Sequence, residues 1–166
     1  MGALRPHHSV LSGRNYLPQN ITRDSLDQFW ASGAREADII AAILKRHGFQ
    51  GLGSKTCVEY GCGLGRVTLA LAKMFGSVRA YDISPTHIAQ AQRSASEAKI
   101  ENDVQFRLCS SDLLNERLTP CDFVYSRIVF QHNPPPLIRV LIARAAQSLV
   151  EGGITILQVP TYGSNY

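Results

Sequence analysis

Between Lys55 and Val159, five short apolar runs at 55–60, 77–82, 104–109, 122–127 and 154–159 alternate with stretches of helical period at 66–75, 84–98 and 137–150. Two neighbouring strands of the same direction need a connection long enough to bring the chain back, and a helix supplies it. The alternation therefore predicts an α/β fold, with parallel strands joined by right-handed crossovers into a doubly wound sheet. In such a sheet the ligand crevice lies at the carboxyl ends of the strands. Ser84 followed by Pro85 marks the start of the second helix, as an N-cap and a proline in the first turn.

The segment before this alternation has a different character. Residues 1–22 are rich in Pro, Ser, Gly, His and Asn without a period, and read as an irregular arm. From Asp24, the residues Leu26, Phe29, Trp30, Ala34, Ala37, Ile40, Ile43 and Leu44 recur at helical steps, and Gly48 is placed to stop them. This predicts one long or two short cap helices over 23–50, leading into a cofactor-binding core over 51–166, all within a single domain spanning 23–166.

A composition of 45% hydrophobic and 18% charged residues suits one globular domain. The formal charge of +4 comes from scattered basic residues, so the expectation is tolerance of an anionic ligand and no clear nucleic-acid patch. The spacing of Cys57, Cys62, Cys109 and Cys121 contains no CxxC pair. Reduced thiols in a cytoplasmic protein are expected, with no metal site, no signal core and no membrane span.

Gly61, Gly63 and Gly65 follow the first strand and precede its helix, where glycine admits positive φ and lets backbone approach a ligand. The N–H groups at the start of helix 66–75 are expected to face the same spot. A dinucleotide fingerprint would need its third glycine at the position held by Arg66, which weakens a nicotinamide reading. Upstream, GFQGLGSKT imitates a phosphate loop, but Ser54 interrupts it and it precedes a strand instead of following one. Asp82 ends the second strand, where a carboxylate can accept both hydroxyl protons of a ribose. The alternative is a cap on the following helix. Asp112 ends the third strand, either near an adenine edge or in a capped turn.

Taken together, VEYGCGLGR, AYDIS, CSSDL, CDFVYSRIVFQHNPPP and LVEGGITILQVP resemble the motifs of the class I S-adenosylmethionine-dependent methyltransferases, over roughly residues 35 to 160. The resemblance implies a Rossmann-like sheet and S-adenosyl-L-methionine as cofactor. It also implies that Glu59, Gly61, Cys62, Gly63, Gly65, Asp82, Ile83, Ser111, Asp112, Leu113 and Ser126 bind that cofactor. The sequence ends just after the fifth strand, whereas the family sheet usually adds two more. The open edge suggests a homo-oligomer or a longer chain.

Ser126, Arg127, Gln131 and His132 follow the fourth strand, beside the expected methyl position. Arg127, Gln131, His132 and, from the cap helix, Trp30 are candidates for an acceptor pocket. His132 is the candidate base, its imidazole suited to proton transfer near neutrality; its competing role is to orient the loop. Phe29 and Trp30 also read as plain core residues. The acceptor expected is a small molecule. The competing readings are a non-catalytic methyltransferase-like subunit, a protein or RNA methyltransferase, and an NAD-dependent oxidoreductase.

Overall fold

The computed structural model describes residues 22–109 and 119–159. Its elements are α1 (Arg23–Arg46), β1 (Thr56–Tyr60), α2 (Thr68–Leu71), β2 (Ser77–Asp82), α3 (Pro85–Glu97), β3 (Asp103–Leu108), β4 (Cys121–Ser126), α4 (Pro135–Ser148) and β5 (Leu149–Leu157). The five strands form one sheet in the order β3-β2-β1-β4-β5, and every pairing is parallel. The doubly wound α/β expectation holds. The chain runs outward from β1 through β2 to β3, then returns to place β4 on the other flank of β1. That reversal opens a crevice at the carboxyl ends of β1 and β4.

Strand parity assigns the two faces. Cys57, Val78 and Phe123 point to one side, where they pack with Ile40 and Leu44 of α1 and Leu71 of α2. Val58, Tyr81 and Val124 point to the other, where they meet Ile138, Leu141 and Ala145 of α4. The cap segment is one long helix. Thr22 starts it with a reciprocal cap: its hydroxyl accepts from Ser25 N–H at 3.1 Å, and Ser25 Oγ accepts from Thr22 N–H at 2.9 Å. Ser25, Phe29, Gly33, Ala37, Ile40 and Leu44 form its buried stripe.

Two expected boundaries move. The helix expected over 66–75 contracts to Thr68–Leu71, flanked by turns. The Asn102 side-chain amide donates to the carbonyls of Ala72 and Phe75 and so draws them away from a continuing helix. The last strand begins at Leu149 instead of 154, because Leu149 still pairs with Cys121 while Ile154 pairs with Phe123. The bulge between these pairs carries Gly152 at φ 76°. Among the described residues, β5 has only β4 as a partner. Val140, Ile142 and Val150, on the last helix and strand, remain exposed. No helix among the described residues is long and apolar enough to cross a membrane.

Candidate active site

The glycine loop adopts the conformation its composition requires, with φ of 78° at Gly61, 54° at Gly63 and 85° at Gly65. The N–H groups of Gly61 and Cys62 both donate to the Tyr81 carbonyl, at 2.7 and 2.9 Å, and that of Gly65 donates to the Cys62 carbonyl at 3.0 Å. Gly63 N–H donates to Asp82 Oδ2 at 2.8 Å. These four donors are spent inside the protein, and the start of the expected helix 66–75, whose N–H groups were expected to face the crevice, is a turn leading into the four-residue α2. The loop is a tied rim and not a phosphate cradle. A Cβ on Gly61 would lie 2.0 Å from Val129 Cγ2. Glycine at that position therefore lets the segment after β4 close onto the loop.

Asp82 ties the glycine loop to the turn that precedes α3. Its Oδ2 anchors Gly63, its Oδ1 accepts from Ser84 N–H at 2.9 Å, and His87 Nδ1 lies 3.2 Å from Oδ1. Ser84 Oγ in turn accepts from His87 N–H at 3.3 Å, so the expected N-cap is present. Asp82 lines the cavity, and Oδ2, with Gly63 N–H as its one named donor, keeps accepting capacity.

Glu59 sits deeper. Burial raises its carboxyl from 4.5 to about 7, opposed by the Thr68 hydroxyl, which donates at 2.6 Å, and by the nearby Arg66 charge. At neutral pH Glu59 is thus poised between protonated and ionised forms.

The segment after β4 carries a strained apolar residue on the cavity wall. Ile128 has φ 59°, a left-handed conformation that a β-branched side chain adopts at a cost of about 1–3 kcal/mol. Arg127 pairs with Glu36 of α1, and the other Glu36 oxygen accepts from the Tyr125 hydroxyl at 2.8 Å. Burial raises the Tyr125 phenol above its ordinary range, which keeps it a donor. This clasp fastens α1 to the end of β4.

Together these parts enclose a cavity of about 600 Å³. Its polar lining includes Glu59, Asp82, His87 and Arg66, and its less polar lining includes Tyr60, Tyr81, Phe130 and Leu141. The Tyr60 and Tyr81 rings lie 5.6 Å apart at 31°. Of the residues singled out in the sequence, Glu59, Gly61, Cys62, Gly63, Asp82, Ile83, Arg127 and His132 line this cavity. Gly65, Ser126, Trp30 and Gln131 do not. Gly65 is packed beside Ala91 of α3, which a Cβ would approach to 3.3 Å. Ser126 is buried with its hydroxyl donating to the Tyr60 carbonyl at 2.9 Å, which ties β4 to β1. Trp30 packs edge-on against Phe29 at 5.0 Å, and Gln131 is exposed on the turn Phe130–His132. Ser111, Asp112 and Leu113 lie outside the described residues. Sequence reasoning missed Glu36, Arg66, His87 and Tyr125. Glu36 had a usable signal: it is a charge set between Gly33, Ala37 and Ile40 on an otherwise apolar stripe.

All four cysteines are free thiols, and no group of three potential metal ligands occurs among the described residues. The family described as a methyltransferase domain matches residues 57–153. A carboxy-S-adenosyl-L-methionine synthase of Dichelobacter nodosus is 28% identical over 106 residues, 62% of this chain and 44% of that protein. The magnesium protoporphyrin IX methyltransferase of Synechocystis, solved with bound SAH, superposes with a TM-score of 0.60 at 22% identity, over 78% of this chain and 57% of its own. A putative S-adenosyl-L-methionine-dependent methyltransferase of Methanococcus maripaludis gives 0.62 at 22% identity, over 79% of this chain and 57% of its own. The chain thus spans about half the length of these relatives.

Proposed function

Because the chain belongs to the methyltransferase domain family, matched over more than half its length, we propose that it transfers a methyl group from S-adenosyl-L-methionine to a small-molecule acceptor. The observation that carries the reading is Asp82: a carboxylate at the switch point, fixed by Gly63 and Ser84, that lines the cavity. A ribose diol offers the two donors such a carboxylate accepts. Ile83 beside it is 80% exposed, an apolar face that a flat base would cover. The volume, about 600 Å³, suits a ligand of that size.

The sulfonium of the bound cofactor supplies an activated methyl group. The chain's own residues then have three tasks. Gly61, Gly63 and Asp82 position the nucleoside end. Glu59 faces the cavity and favours a cationic ligand when ionised. Arg127, Ile128 and His132 border the space left for the acceptor, so that positioning supplies much of the acceleration. His132 is the candidate to receive a proton where the acceptor must lose one. Among the described residues no strand pairs with the outer edge of β5, and this edge with the exposed Val140, Ile142 and Val150 supports pairing with another subunit or with further chain. The buried thiols Cys57, Cys62 and Cys121 suit a reducing, cytoplasmic setting.

Calorimetric titration with S-adenosylmethionine, S-adenosylhomocysteine and NAD tests the reading. The first two should bind, and at a hundred times the dissociation constant each should stabilise the fold by about 2.7 kcal/mol. Binding of NAD without the sulfonium compound would overturn it.

A further inference from the structure

The first turn of α3 departs from the usual helix start at one residue. A capping box pairs a Ser or Thr N-cap with a Glu or Gln three positions on, whose side chain accepts the N-cap N–H. Here Ser84 is the N-cap, Pro85 opens the helix, and the third position holds His87. The Ser84 N–H goes instead to Asp82 Oδ1 at 2.9 Å, and the His87 ring turns to that same oxygen, with Nδ1 at 3.2 Å. A carboxylate only accepts, so Nδ1 carries the hydrogen and donates it. The two side chains are 16% and 10% exposed, for His87 and Asp82, and both residues line the cavity.

The acceptor positions on Asp82 are therefore unequally filled. Each carboxylate oxygen has room for about two hydrogen bonds. Oδ1 meets two donors, the Ser84 N–H and His87 Nδ1, whereas Oδ2 meets one among the described residues, the Gly63 N–H. The open position is on Oδ2, yet a ribose diol brings two hydroxyl donors. Of the three donors already present, two are backbone groups fixed by their loops, and the third is a side chain. Its place follows from α3, because His87 N–H donates to Ser84 Oγ at 3.3 Å and Ile88 N–H to the Ser84 carbonyl at 3.1 Å. The ring is thus carried on a capped helical turn.

We propose that His87 is a positioning residue that fills Asp82 Oδ1 and so limits the carboxylate to one hydroxyl of the ribose, making the site selective at that hydroxyl and tolerant at the other. The proposal rests on the methyl-transfer reading above and narrows it. His87 acts through Asp82, by occupying Oδ1 and by holding the plane of the carboxylate against Gly63. Loss of the ring restores a second acceptor position and lets the carboxylate turn, and both changes blur the distinction between the hydroxyls. Asn at this position can offer a side-chain N–H one bond from Cγ, where Nδ1 stands in the imidazole.

The test measures, by calorimetry on the full chain, the affinity of S-adenosylhomocysteine and of its two monodeoxy analogues, each lacking one ribose hydroxyl. The proteins compared are the wild type, His87→Ala and His87→Asn. In the wild type one analogue should bind at least about tenfold more weakly than the parent, the loss of one hydrogen bond to a charged acceptor, and the other within about twofold of it. In His87→Ala the two analogues should come within about twofold of each other, and His87→Asn should restore part of the difference. A general loosening of the fold weakens all three ligands alike and leaves the ratio between the analogues unchanged, so the ratio separates positioning from stability. Equal losses for both analogues in the wild type, a difference that persists in His87→Ala, or no recovery in His87→Asn would overturn the proposal. Failure of S-adenosylhomocysteine to bind the wild type at all would strike the methyl-transfer reading itself, and the proposal with it.

Discussion

Replacing Glu59 by Gln isolates the cost of one buried acid. The side chain keeps its shape, and its carbonyl oxygen can still accept the Thr68 hydroxyl that donates at 2.6 Å, but it no longer titrates. In the wild type, burial moves the carboxyl from 4.5 to about 7. Below pH 4.5 it is protonated in both the folded and unfolded chains and contributes no pH dependence. Between 4.5 and about 7 the folded chain binds the extra proton, so stability falls as pH rises; above 7 the loss is complete. At about 1.4 kcal/mol per pH unit the full loss is about 3 kcal/mol. Urea unfolding of both proteins from pH 5 to 8, followed by circular dichroism, should show the Gln variant gaining on the wild type by an amount of that order. A stability difference that stays flat across the range, or that moves toward the wild type, would refute the assignment of a neutralised Glu59. The same physics predicts that a sulfonium ligand binding near pH 6 expels a proton from the wild type and not from Glu59→Gln. Titrations in buffers of different ionisation enthalpy read this directly.

Asp82→Ala should weaken cofactor binding by about 1–3 kcal/mol and also lower the melting temperature, because the Gly63 N–H loses its acceptor; weakened binding at unchanged stability would show that the loop does not depend on this anchor. Gly33→Ala places a Cβ 2.0 Å from the Arg66 carbonyl oxygen, a backbone atom, and should cost about 1–3 kcal/mol as α1 is pushed off the core. A neutral result would mean that the helix is free to shift. Ile128→Gly removes the left-handed strain and should leave chemical stability equal or up to about 1 kcal/mol higher while turnover falls; a clear loss of stability would mean that the side chain is packed and not strained.

The alternation of period two and period 3.6 was enough to read the parallel sheet, and three glycines followed by Asp82 were enough to read its crevice, because both signals are local. The less legible parts depend on partners far along the chain. Tyr125 and Arg127 reach Glu36 across 89 and 91 positions. No window of sequence joins them, and only the misplaced charge on the α1 stripe hints at a contact. The contraction of α2 follows the same rule, since the side chain that takes the carbonyls of Ala72 and Phe75, just after it, is Asn102, beyond α3. Periodicity marked Trp30 as near the buried stripe but not which flank of it faced the crevice. Ser126 looked chemical by its position at a strand end, yet its hydroxyl is consumed by the neighbouring strand.

The clasp at Glu36 also imposes an order on biosynthesis. The residues of α1 leave the ribosome first, but the hydroxyl and guanidinium that fasten the helix belong to β4 and the segment just after it. Until those residues emerge, Glu36 has no seat, and Ile40 and Leu44 beside it lack the β4 side of their packing surface. The helix must therefore wait, amphipathic and incompletely covered, for most of the sheet to be made. A stalled or shortened chain ending before β4 would expose that stripe as a sticky surface, and chaperone capture of such nascent chains should subside once Arg127 has cleared the exit tunnel.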